Sequence, residues 1–110
     1  MAKHHSSLFG SRLRFARERA KLAQDKLGVM VGLDESCSSA RISRYETGVH
    51  EPPFEMAERI AAVLKIPTTY LYCTDDQLAE ILLEFGGMGD ADKNALLEFA
   101  RNLTMKSNSK

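Results

Sequence analysis

The run Ser36-Cys37-Ser38-Ser39 sets four potential nucleophiles side by side. A hydroxyl or thiol attacks well only when a neighbouring base takes its proton, and no histidine or paired carboxylate stands at a spacing that would serve. Catalysis is therefore the weakest reading of the chain, and no catalytic residue is assigned. Cys37 and Cys73 form neither a CxxC pair nor a disulfide framework and read as two reduced thiols. With His4, His5 and His50 they fall short of the ligand number and spacing that zinc requires, so no metal site is expected.

Charge points elsewhere. Fifteen Lys and Arg balance fifteen Asp and Glu, yet the two signs are not mixed along the chain. Residues 1–50 carry a net +4 and residues 51–110 a net −4. A basic half joined to an acidic half is what a nucleic-acid-facing module with an appended segment of different purpose looks like. The length of 110 residues suits one compact domain with an appendage, and 44% hydrophobic content supports an ordinary core. No segment approaches the roughly 20 consecutive apolar residues of a membrane span, so no membrane is expected among the partners. Residues 1–7 lack the apolar stretch of a secretory signal and read as a disordered tail or an expression scar; a cytoplasmic location is the expectation.

The elements that must position any site are all helical, with no strand-like alternation and no repeat. Phe9, Leu13, Ala16 and Ala20 fall on one helical stripe, with Arg12, Arg14 and Arg19 mostly off it. Leu27 and Val31 form a short second stripe that ends at Gly32, followed by a polar loop over 33–39. Ile42 and Tyr45 mark a third helix, capped by Ser36 or Ser38 and stopped by Gly48. Phe54, Ala57, Ile60, Ala61 and Leu64 line a fourth that stops before Pro67, and residues 69–72 read as a short fifth closing the core. Thr74-Asp75-Asp76-Gln77 fits a capping box before Leu78, Ile81, Leu82 and Phe85. Gly86-Gly87-Met88-Gly89 then breaks the helix, and Asp90 can cap a last one carrying Leu96, Phe99, Ala100 and Leu103. Its end, from Lys106 to Lys110, is expected to fray.

Three strings come in order on these helices. They are Arg12-Leu13-Arg14-Phe15-Ala16-Arg17, then Gln24-Asp25-Lys26-Leu27-Gly28-Val29-Met30-Val31-Gly32, then Ile42-Ser43-Arg44-Tyr45-Glu46-Thr47-Gly48, with Pro52 and residues 60–66 behind them. Over residues 8–73 the chain resembles the lambda-repressor/Cro type of helix-turn-helix regulator, the Xre family. The resemblance implies an all-α, five-helix DNA-binding domain over 8–73 with an extension of about two helices over 74–110. It implies a sequence-specific regulator, a dimeric repressor acting on double-stranded DNA at a palindromic operator, with no cofactor.

By the same resemblance, Ser39, Ala40, Ser43 and Arg44 are the base-reading positions. Arg44 is suited to bidentate recognition of guanine and Ala40 to a thymine methyl. Arg41 belongs on the rim, over phosphate, and Gln24 at the start of the second helix meets a phosphate. Arg12, Lys26, Thr47 and His50 are secondary backbone-contact candidates. Arg17 and Glu46 are expected to form a partly buried ion pair that fixes the recognition helix without touching DNA. The chain departs from the family at Ala23 and Pro53, where capping side chains are common, at Lys26, and in about four extra residues within 34–39. Those extra residues must form a longer turn or extend the recognition helix backwards. Residues 76–104 could supply a homodimer interface, fold back on their own domain, or exchange a helix. The competing functional reading is a protein-interaction module, antitoxin-like, that binds a protein partner through the acidic C-terminal helices.

Overall fold

A computed structural model describes residues 7–108, all of whose regular structure is helical. The order is α1 (Leu8–Arg19), α2 (Gln24–Met30), α3 (Ser38–Thr47), α4 (Phe54–Leu64), a 3-10 helix (Thr68–Tyr72), α5 (Asp76–Gly86) and α6 (Asp90–Asn108). The core is one cluster to which every helix except α6 contributes: Leu13, Leu27, Ile42, Ile60 and Leu71 are fully enclosed, with Tyr70 nearly so. Six apolar stripes that could not bury themselves alone close around a common centre.

The α2–turn–α3 corner is the tightest joint. A side chain at Gly28 would run into Ser38, whose Cα would lie at 2.9 Å, so the two helix backbones meet where neither can carry bulk. Ser38 is itself buried and donates its hydroxyl to the Asp25 carbonyl at 3.0 Å. This corrects the expected cap: Cys37 occupies the N-cap of α3 without a side-chain hydrogen bond, and Ser38 pins α3 to α2 instead. The extra residues of the corner form a longer turn. Asp34 closes it by accepting from the Ser36 amide at 3.0 Å and from the Ser36 hydroxyl, while its own carbonyl receives the Cys37 amide. Those two Ser36 bonds hold the Asp34 carboxyl below its ordinary pKa.

Several ends follow the sequence and others do not. α3 stops at Gly48 in the left-handed region with φ of 83°, and α4 stops before Pro67 through Lys65. Ser7, expected in the tail, accepts from the Gly10 amide and caps α1; the rest of the 1–7 expectation lies outside the described residues. Ala20 follows α1 as an exposed cap residue and takes no part in the core. On α5, Asp75, one residue later than a Thr74 cap, accepts from the Leu78 amide; the buried positions are Ala79 and Leu83, with Leu78 and Ile81 outside. The last helix runs on through Asn108 instead of fraying from Lys106, and none of its residues is buried. Cys37 and Cys73 are both free.

Two stability outcomes follow from these joints. Ala23 is the uncapped N-cap of α2 in extended geometry, so Ala23→Ser should add about 1 kcal/mol and raise the melting temperature by roughly 4–8 °C. Gly28→Ala should cost about 1–3 kcal/mol by forcing α2 from α3, whereas Gly89→Ala, with open space around it, should cost less than about 1 kcal/mol; denaturant midpoints separate the two.

Candidate nucleic-acid interface

α3 has two chemically opposite faces. Ser38, Ile42, Tyr45 and Glu46 are buried. Ser39, Ala40, Arg41, Arg44 and Thr47 are exposed and Ser43 is half-buried. The helical period places these residues together: the outer side begins with small residues and becomes basic one turn on. Among the described residues it carries no carboxylate, because Glu46 is turned inward.

The inward turn of Glu46 is held by three hydrogen bonds from two side chains. Arg17 on α1 grips its carboxylate with two donors, Nε to Oε2 at 2.5 Å and Nη2 to Oε1 at 3.2 Å. The remaining guanidinium nitrogen, Nη1, donates to the Leu22 carbonyl at 2.8 Å, just before α2 begins. Gln24 on α2 donates its amide to Glu46 Oε1 at 3.1 Å. The side chains of Arg17 and Glu46 are only 11% and 4% exposed, which makes this a buried, hydrogen-bonded pair. The Glu46 hydrogen bond raises the Arg17 pKa above its ordinary value against the opposing effect of burial, so the cation is permanent at any working pH.

The other candidates divide by what already holds them. Arg44 is exposed, and its backbone carbonyl accepts from the His50 amide at 3.2 Å, which folds the exposed His50 back over the end of α3. Thr47 donates its hydroxyl to the Ser43 carbonyl at 3.0 Å, a bond inside its own helix. Lys26 is exposed on α2. Arg41 is exposed, with its pKa raised chiefly by hydrogen bonding with Tyr45, so it leans along α3. Gln24 keeps one of its two amide hydrogens for an outside acceptor, the other being committed to Glu46.

Arg12 does not fit its assignment as a backbone contact. Its guanidinium donates twice to the Cys73 carbonyl, at 3.0 and 2.8 Å, and once to Asp76 at 2.9 Å. It also lies 5.6 Å from the Tyr70 ring centre and is 16% exposed, so its work is to fasten α1 to the start of α5. Arg59 went unnoticed in the sequence and performs a similar task, donating to the Val31 carbonyl at 3.1 Å where α2 ends. No local pattern announces either bond, because both partners are main-chain carbonyls distant in sequence.

Residues 8–69 match the family described as a helix-turn-helix domain. The chain belongs to that family. A solved structure, of the transcriptional regulator BswR, is 41% identical in sequence with a TM-score of 0.79, covering 84% of this chain and 92% of that one. Such coverage extends beyond the matched domain into the C-terminal helices. No curated protein matches the sequence. The Xre-like helix-turn-helix thus stands on sequence, fold and structural likeness together.

The ion pair of this helix-turn-helix gives a measurable signature. Arg17→Met or Glu46→Leu alone should cost about 3–5 kcal/mol, since each strands a buried charge. Removing both together, as Arg17→Met with Glu46→Leu, should cost markedly less than the sum, read from urea unfolding of the four-member cycle.

Proposed function

We propose that this protein is a sequence-specific double-stranded DNA-binding transcriptional regulator, working in the cytoplasm as a dimeric repressor on a palindromic operator. Residues 8–73 are its DNA-binding domain and residues 74–110 its dimerisation extension. The single observation behind this reading is the outer face of α3: small at Ser39 and Ala40, basic at Arg44, and cleared of its one carboxylate by Arg17. A helix of that kind enters a major groove closely at its start and presents a guanidinium to base edges further on. Arg44 reads guanine through paired donors to O6 and N7. Ser39, Ala40 and Ser43 read or abut neighbouring bases, Ala40 suiting a thymine methyl.

Around that helix the backbone contacts would fall to Gln24, Lys26, Arg41, Thr47 and His50. Gln24 has a double duty in this account, since the Glu46 contact that holds one amide hydrogen also aims the other outward. Arg12 is left out because its Nε and Nη2 donors are engaged within the protein. A single short module spans few base pairs, so selectivity requires two copies on half-sites about one helical turn apart.

Selection of duplexes from random sequence, followed by binding titrations, tests these roles. Arg44→Ala should relax one position in each half-site, losing about 1–3 kcal/mol of discrimination there. Gln24→Ala should weaken all duplexes about equally. Affinity should fall with salt at a log–log slope of about −0.9 per neutralised phosphate. Unchanged specific and nonspecific binding in both variants would overturn the assignments.

A further inference from the structure

A dimeric reader is selective only if its two reading helices stand at a fixed distance, and that distance is set where the extension joins the DNA-binding domain. Of the two extension helices, α5 makes the join: Ala79 and Leu83 enter the core, whereas no residue of α6 is buried. Two apolar contacts hold a helix close without fixing its tilt, because burial has no preferred direction. Direction comes from the two ends of α5.

At its last residue, Gly86 lies close against the chain that follows α4. A Cβ there would stand 2.8 Å from the Lys65 carbonyl oxygen and 3.0 Å from the Pro67 ring. At the other end, the Arg12 guanidinium holds the Cys73 carbonyl with two donors, at 3.0 and 2.8 Å, and Asp76 with one at 2.9 Å. The Tyr70 ring, its centre 5.6 Å from the guanidinium carbon, lies against the same group. A planar charged fork set on a carbonyl and a ring has a defined orientation, which an apolar contact lacks. The Asp76 side chain is 92% exposed and adds little, so the Cys73 carbonyl is the fixed point.

Arg12 shares α1 with Arg17. Five residues separate them, about 7.5 Å of rise and about 140° of turn, so one helix holds the extension on one side and the reading helix on another. Arg17 orients α3 through Glu46, and Arg12 orients α5 through Cys73. We infer that Arg12 is a positioning residue for half-site spacing: by fixing the tilt of α5 against the helix that also orients α3, it sets which separation of half-sites the dimer accepts. The inference rests on the dimeric DNA reading above and adds to it the residue that determines spacing specificity.

Binding titrations of the full chain on a series of duplexes test it. The series carries the selected half-sites at their selected separation and at one or two base pairs more or fewer. Each base pair moves a half-site by about 3.4 Å and turns it by about 35°. The wild type should lose about tenfold in affinity on the first step either way, as the second half-site falls out of reach. Arg12→Met, which keeps the stem and removes the donors, should lose less than about threefold on the same step. Its base preference at the Arg44 position and its affinity for a single half-site should be unchanged. Arg12→Lys, with the charge but no fork, should fall between the two. Ile60→Val, a destabilising core change on α4, should keep the wild-type spacing profile, which separates positioning from lost stability.

Equal affinity of the wild type at every separation, a wild-type profile in both Arg12 variants, or a flattened profile in Ile60→Val would sink the inference and leave the dimeric DNA reading standing. A wild type that gains nothing from a second half-site at any separation removes the dimeric reading, and this inference with it.

Discussion

The interaction on which the rest depends is the buried grip of Arg17 on Glu46. A carboxylate near the end of a helix offered to DNA would repel phosphate, and inside the protein an unpaired one would be costly. The guanidinium of α1 resolves both by taking the carboxylate inward and satisfying each oxygen. Its third nitrogen reaches the chain just before α2, and Gln24 closes the arrangement from α2 itself. Three helices are thus referred to one carboxylate. A buried pair of this kind adds little raw stability over an apolar substitute. It fixes the angle and register of α3 relative to α1 and α2, and the outer face of α3 has a use only at a defined angle.

The same economy of space shapes the α2–α3 corner. Gly28 and Ser38 touch backbone to backbone, and the Ser38 hydroxyl supplies a bond where a longer side chain would wedge the helices apart. The longer turn over 34–37 is folded on Asp34 and leaves α3 to begin at Ser38. Ser39 and Ala40 consequently stand exposed in the first turn, in line with Arg44. The extra length is absorbed before the helix and leaves its outer face regular.

Much of this was legible in the sequence. Periodicity located each helix, Gly48 and Pro67 marked their limits, and the ordered strings around Arg17, Gln24 and Arg44 indicated the helix-turn-helix. Other features were not legible, for reasons that share a cause. Arg12 looked like a surface cation because its acceptors, Cys73 and Asp76, are distant in sequence and one is a main-chain carbonyl. Ser38 resembled a cap because nothing local reveals that Gly28 will leave it room. The stripe read on α5 was turned from the true inner face, since Leu78, Ile81, Leu82 and Phe85 are apolar on a helix that has apolar surroundings on two sides. Local pattern reports that a face is apolar; only the packed structure reports which neighbour covers it.

The division of charge along the chain acquires a physical meaning in this arrangement. The basic half contains α3 with its exposed Arg41 and Arg44, while the acidic half contains α5 and α6 with their exposed apolar side chains. The most direct test of the central claim is a nuclear magnetic resonance titration of the protein with a selected duplex. The account requires the largest changes in the amides of Ser39 to Arg44 and in the Arg44 guanidinium. The Arg17 and Glu46 side chains should keep their mutual bond throughout. Changes confined to α5 and α6, or loss of the Arg17–Glu46 contact on binding, would contradict it.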